Sequence, residues 1–158
     1  VKWEAATRPV KNLGVCHIVT RMAVILAKKR GLFPLMALPV RLFFGGKLGE
    51  GTQAMPWIHL TDAVRAISFL LQDETSQGPY NLITPSPTSS AEFTREIARS
   101  LHRPYWFHVP KFLLKLPLGE MSVLLTEGRY SQPRRLLEAG FAFKFPTIDK
   151  ALEDIYSK

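Results

Sequence analysis

A chain of 158 residues with 46% hydrophobic residues and a mean hydropathy of +0.01 can bury a real core, and fits one domain or a large piece of a protein built from two. Its single cysteine, Cys16, excludes an internal disulfide and points to a reducing, cytoplasmic setting, and no run approaches the ~20 apolar residues that span a bilayer. The net charge of +8 and pI near 9.9 invite a nucleic-acid partner, but Lys28-Lys29-Arg30, Lys111, Lys115 and Arg134-Arg135 are scattered without a binding signature, so none is expected.

The start, Val1-Lys2-Trp3-Glu4, lacks both a methionine and the apolar stretch of a signal peptide, and reads as the edge of a fragment. Residues 2 to 8 suit the end of a helix, and Lys11-Asn12-Leu13-Gly14 a turn. Val15 to Leu26 is almost continuously apolar and rich in β-branched residues, which predicts one strand covered on both faces, as in a parallel sheet. Gly31 to Phe44 is apolar but carries Pro34 and Pro39, which argues against one regular helix and for a lid over a cleft or a membrane-surface segment.

Gly49-Glu50-Gly51-Thr52-Gln53-Ala54 satisfies the dinucleotide pattern G-x-G-x-x-A. That pattern holds a pyrophosphate only where a strand enters and a helix leaves. Here the chain leaves toward Pro56 and the strand-like Trp57-Ile58-His59-Leu60, so the phosphate loop is rejected. Thr61 or Asp62 then suits a helix cap, with Val64, Ile67, Leu70 and Leu71 at inward-facing spacing. An indole, an imidazole and a carboxylate thus stand at a strand-to-helix turn, where α/β folds hold ligands. Taken singly, Trp57 also suits a core, His59 a satisfied polar residue and Asp62 a cap.

Tyr80 to Thr84 is a short strand, Thr84-Pro85-Ser86-Pro87 an extended link, and Ser89-Ser90-Ala91-Glu92 a capping box. The helix it opens buries Phe93, Ile97 and Leu101, ends on Arg99, His102 and Arg103, and stops at Pro104. Tyr105 to Val109 reads as a strand, Lys111 to Leu125 as a helix broken at Pro117-Leu118-Gly119, and Pro133 to Gly140 as a short helix. Phe141, Phe143 and Phe145 alternate as in a strand, and Thr147 caps a last helix with Ile148, Leu152 and Ile155 inward. The fold class is α/β, with residues 1–104 as the main region and 105–158 as a small, mostly helical unit. No metal site is expected, since His17, His59, His102 and His108 are far apart without companion cysteines, and no G-x-S-x-G elbow occurs.

Several ordered segments carry a family resemblance: Trp3-Glu4, Arg21-Met22-Ala23-Val24-Ile25-Leu26, Gly45-Gly46-Lys47-Leu48-Gly49 and Trp57-Ile58-His59. Asp62, Gly78-Pro79-Tyr80-Asn81-Leu82, Ala91-Glu92-Phe93 and Leu136-Leu137-Glu138-Ala139-Gly140-Phe141 follow. With these the chain resembles the C-terminal half of sugar-epimerase-like extended short-chain dehydrogenases/reductases, ending in a domain of unknown function. The resemblance implies the C-terminal part of a Rossmann-type doubly wound fold, NAD or NADP bound only with an N-terminal half, and a small-molecule substrate of unknown identity. It implies Met22, Ala23 and Val24 at the nicotinamide end, and Gln53, Trp57 and His59 facing the substrate, Trp57 by stacking and the other two by hydrogen bonds.

The family's glycine loop and Tyr-x-x-x-Lys pair would precede Trp3, and none of Tyr80, Tyr105, Tyr130 or Tyr156 has a lysine four residues on. No catalytic residue is therefore assigned. Where the family reads Arg-x-Gly, Ala23 stands instead, and Arg30-Gly31 stands for its later Gly-Gly. The expectation is the substrate-side half of an NAD(P)-dependent epimerase/dehydratase-like oxidoreductase, inactive alone and self-associating through the exposed strand 15–26. The rival is a non-enzymatic module using its basic surface for an acidic partner.

Overall fold

The computed structural model describes residues 4, 6–7, 9–10, 14–109 and 130–157. The expected helix over 111–125 lies outside them, as do most of the expected helix end at 2–8 and turn at 11–14. In chain order the elements are β1 (Ile18–Met22), β2 (Val24–Leu26), α1 (Phe33–Arg41), β3 (Gly46–Leu48), β4 (Ala54–Met55), β5 (Trp57–His59) and α2 (Leu60–Gln72). Then come β6 (Gly78–Leu82), β7 (Thr88–Ser89), α3 (Ser90–Ser100), β8 (Phe107–Val109), α4 (Arg134–Glu138) and α5 (Ile148–Tyr156).

Parallel pairing dominates. β1 runs beside β6 from Ile18 with Gly78 to Met22 with Leu82, β2 beside β5 from Val24 with Trp57 to Leu26 with His59, and β3 beside β8. Only β4 and β7 pair antiparallel among the described residues. The single strand expected over 15–26 is two strands that change partner at Ala23. Its N–H is given to the Leu82 carbonyl and the next one, on Val24, to Pro56, each at 3.2 Å. Backbone donors must be spent somewhere, and here successive donors are spent on different neighbours.

Side chains of a strand alternate between faces, and β2 and β5 use both. Leu26 and Trp57 enter one core, with Phe33, Phe93, Ile97 and the α5 residues Ile148, Leu152 and Ile155. Ile58 and Ile25 enter the other, with Ala66, Leu70, Leu82, Leu136 and Phe141. This is the arrangement that the apolar run at 15–26 predicts for its second half.

The segment 31–44 departs from expectation, because it contains a nine-residue helix, α1. Pro34 sits in the first turn, where its missing N–H would be unpaired in any case. Pro39 costs one internal bond near the far end, after which Phe44 N–H closes on the Pro39 carbonyl at 2.9 Å. In α2 the inward face is also shifted. Ala63, Ala66 and Leu70 are buried, Ile67 half-buried, and Val64 and Leu71 exposed. The small residues let α2 approach β2 and β5 closely.

The cap of α2 differs too. It is His59, whose Nδ1 accepts the Thr61 N–H at 3.2 Å, and neither Thr61 nor Asp62 fills that position. The capping box of α3 is formed as expected between Ser89 and Glu92. Residues 141–145 are not a strand. Phe141 and Phe145 are buried, but the N–H groups of Lys144 and Phe145 go to the Asp62 carboxylate instead of to a ladder.

Past α2, Asp73 closes a tight turn. Its Oδ1 accepts the Thr75 N–H at 3.0 Å and the Thr75 hydroxyl at 2.6 Å, and its Oδ2 accepts the Ser76 hydroxyl at 2.6 Å. These bonds, that from Ser76 first, hold the Asp73 carboxyl below its usual range. A depressed carboxyl contributes stability above the unfolded value of about 3.9 and loses it as pH falls through the lower folded value. Urea midpoints measured from neutral pH down through that window should therefore fall less steeply for Asp73→Ala than for the parent chain. Parallel acid limbs would contradict this.

Candidate functional site

Of the six residues singled out by the family resemblance, Met22, Ala23 and Val24 span the passage from β1 to β2, Trp57 pairs with Val24, and His59 pairs with Leu26 at the other end of β2. Met22, at the carboxyl end of β1, is 47% exposed, and Ala23 and Val24 are half-buried. Beside them Arg21 is clamped by Glu4, Nε to Oε1 at 2.7 Å and Nη2 to Oε2 at 2.9 Å. Thr84 N–H, just past β6, reaches the Trp57 carbonyl at 2.8 Å and joins the carboxyl end of the β1–β6 pair to the amino end of the β2–β5 pair. In open α/β sheets ligands are received outside the carboxyl ends of strands that part to different neighbours, and Met22 stands at such an end.

Val24 is the ladder partner of Trp57, so the structure brings these two together. The indole, however, has no exposed surface, and its Nε1–H donates to Thr88 Oγ1 at 3.1 Å. His59 is 4% exposed and lies tilted on Phe145 with ring centroids 4.0 Å apart. Because Nδ1 accepts the Thr61 N–H, the proton of the neutral ring belongs on Nε2, which lies 3.7 Å from Asp154 Oδ2. Gln53 is half-buried on the other flank, its carbonyl taking the Ser90 N–H at 2.9 Å. Between the flanks lies a narrow crevice walled by Met55, Pro56, Thr84, Thr88 and Tyr130.

The exit from the Gly49–Gly51 turn is β4, a strand, in keeping with the rejection of this turn as a phosphate loop. The residues present fit the nicotinamide end of a dinucleotide, through the accessible Met22 and Ala23 at a parallel carboxyl edge. The Gly49–Gly51 turn does not fit its phosphates.

Sequence reasoning missed what Asp62 does. Fully buried, it accepts N–H groups from Lys144 at 2.9 Å and Phe145 at 2.8 Å, and Arg65 donates to it at 2.9 Å. No local pattern announces partners 82 and 83 residues away. It also missed a depression lined by Lys47, Arg95, Tyr105 and Tyr130, which gathers residues far apart in the chain.

Comparisons with known proteins show what the chain as a whole resembles. A family model described as a domain of unknown function (DUF1731) matches residues 109–155. An epimerase family protein of Staphylococcus aureus is 36% identical over 157 residues, covering 99% of this chain and 52% of that protein. The epimerase family protein YfhF of Bacillus subtilis is 35% identical over 153 residues, 97% of this chain and 50% of its own length. The chain thus spans about half the length of the curated relatives it matches.

Among solved structures, a human epimerase family protein with NADPH superposes with a TM-score of 0.85 at 31% identity, over 91% of this chain and 49% of that one. A nucleoside-diphosphate sugar epimerase of Corynebacterium glutamicum gives 0.77 at 25% identity, over 99% of this chain and 30% of that one. The fold is therefore the C-terminal part of a Rossmann-type α/β fold with a helical C-terminal part.

Replacing Asp62 by alanine leaves two backbone donors without their acceptor. The expected loss is about 3 kcal/mol of unfolding free energy in urea, with Asp62→Asn losing less because one oxygen remains. Amide exchange at Lys144 and Phe145 should accelerate in the alanine variant. A loss below about 1 kcal/mol would show that water replaces the carboxylate at little cost.

Proposed function

We propose that this chain, which belongs to the epimerase family its relatives define, is the substrate-side half of an NAD(P)-dependent epimerase/dehydratase-like oxidoreductase. The observation that carries this reading is the change of partner at Ala23. It sets Met22 at the carboxyl end of the β1–β6 pair, with Ala23 and Val24 where the chain passes on into the β2–β5 pair. In the complete protein these three residues receive the nicotinamide end of the cofactor. The nicotinamide would supply hydride transfer, oxidising a carbon that bears a hydroxyl group to a carbonyl and reducing that carbonyl carbon again.

Gln53 is the residue proposed to hydrogen-bond the substrate. Trp57 and His59 belong to the same wall, and since both are buried here, their role is to fix its position from behind. The Trp57 N–H held by Thr88 and the His59 ring held between Thr61 N–H and Phe145 leave each one orientation. The described residues contain no Tyr-x-x-x-Lys pair. The proton transfers that accompany hydride transfer therefore fall to an N-terminal half, which the relatives' length has room for. The edge of β1 away from β6 has no strand partner among the described residues and suits that half.

Two measurements test the reading. The 158-residue chain alone should give no saturable heat with millimolar NAD or NADP, and should self-associate or melt at low temperature. Supplied with the separately expressed N-terminal half of a relative, it should gain thermal stability and bind reduced cofactor, as read by nicotinamide fluorescence. Ala23→Leu should weaken that binding by about tenfold or more, because the three added carbons crowd the nicotinamide end. A monomeric chain with a sharp, high melting transition, indifferent to the added half, would defeat the reading and favour a free-standing module.

A further inference from the structure

The residues flanking Gln53 carry an arrangement that the cofactor reading does not use. Gly51 has φ +69°, and a Cβ built on it would stand 2.8 Å from the Ala91 Cβ and 3.0 Å from Lys47 Cγ. The Lys47 stem therefore lies across Gly51, a position only glycine leaves open. Arg95, one turn further along α3, holds its guanidinium 5.5 Å from the centre of the Tyr105 ring. Among the described residues, neither cation forms an ion pair with a carboxylate. Both are placed by packing instead.

The Tyr105 hydroxyl oxygen is buried and has no hydrogen-bond partner among the described residues. Burial raises its pKa, with Arg95 pulling the other way, so the phenol is a neutral donor. Lys47, Arg95 and Tyr105, with Glu50, Thr52 and Tyr130, line a depression of about 460 Å³. Tyr130 reaches across to the Thr52 carbonyl at 3.4 Å, directly before Gln53. The start of α3 adds little here. Its Ser90, Ala91 and Glu92 N–H groups are already given to the Gln53 carbonyl, the Gly51 carbonyl and the Ser89 hydroxyl. Any anion in this depression is held by side chains.

We propose that Lys47, Arg95 and the Tyr105 hydroxyl form a subsite for an oxyanion, a phosphoryl or carboxyl group, carried by the small molecule that binds beside Gln53. The depression carries two cations against the single carboxylate of Glu50, and among the described residues the Tyr105 hydroxyl lacks an acceptor; such a lining is complementary to an oxyanion, and charge-assisted bonds to it are the strong kind. The assignment rests on the function proposed above for the Gln53 wall, but its test needs no cofactor.

Inorganic phosphate and acetate are titrated separately into the isotope-labelled chain with the separately expressed N-terminal half of a relative supplied, and the backbone amides of the labelled chain are followed by NMR. Saturable shifts concentrated at Gly51, Thr52 and Tyr105 are expected with one of them. Phosphate alone identifies a phosphoryl group, and acetate alone a carboxyl group. Arg95→Gln and Lys47→Gln should each weaken the response about tenfold, and Tyr105→Phe should weaken it less. Control variants Lys150→Gln and Arg134→Gln, elsewhere on the surface, should leave it unchanged. All these side chains except that of Tyr105 are exposed, so the variants keep the parent spectrum. Shifts that grow linearly and spread over the whole basic surface would overturn the subsite, as would a response indifferent to Arg95→Gln. A normal anion response in a protein that fails to bind cofactor with its N-terminal half supplied would count against the function proposed above and not against the subsite.

Discussion

The buried carboxylate of Asp62 ties two distant stretches of the chain into one structure. It stands in the first turn of α2, where a negative charge is favoured by the helix dipole. It spends its oxygens on N–H groups of residues 144 and 145. The arriving segment has no strand partner for those donors, so without Asp62 they would be buried unpaired. Once they are held, Phe145 lies on the His59 ring and α5 follows at once into the core beneath Trp57. The cap of α2, the end of β5 and the start of the C-terminal helix are thus fixed together.

The second constraint is the pair of strands covered on both faces. Because β2 and β5 send alternate side chains to two cores, neither strand can shift register by one residue without exchanging Trp57 for Ile58 between them. Such a slip would put an indole where Leu70 and Phe141 pack, and would strand its N–H away from Thr88. These two strands are held in register by their own packing before any ligand arrives.

Much of this was legible. The capping box at Ser89, the short helix between Pro133 and Gly140, the inward face of α5 and the rejected glycine loop each follow from local chemistry and occur as read. The failures share a cause, which is that distant partners decided them. The strand over 15–26 breaks at Ala23 because Leu82 and Pro56 compete for successive donors, and nothing in the apolar run marks that point. The phenylalanine alternation at 141–145 has the pattern of a ladder, but its donors belong to Asp62. Asp62 itself fits the common role of a cap, and the imidazole that took that role is an infrequent choice. In α1 the prolines act through their position in the helix, which their identity alone does not reveal.

These links change what the C-terminal unit means for the site. α5 packs on α3 and α1 in the core that also encloses Trp57, and Asp154 of the same helix lies near the His59 ring. The Gln53 wall is tied to the first turn of α3, and α3 is the helix that α5 covers. A displacement of α5 would therefore reach the wall through α3 and the β5 end through His59 at the same time. Within the region that the family model describes only as a domain of unknown function, α5 is, by this geometry, a brace for α3 and the end of β5. Its residues need not touch a ligand to govern how one is received.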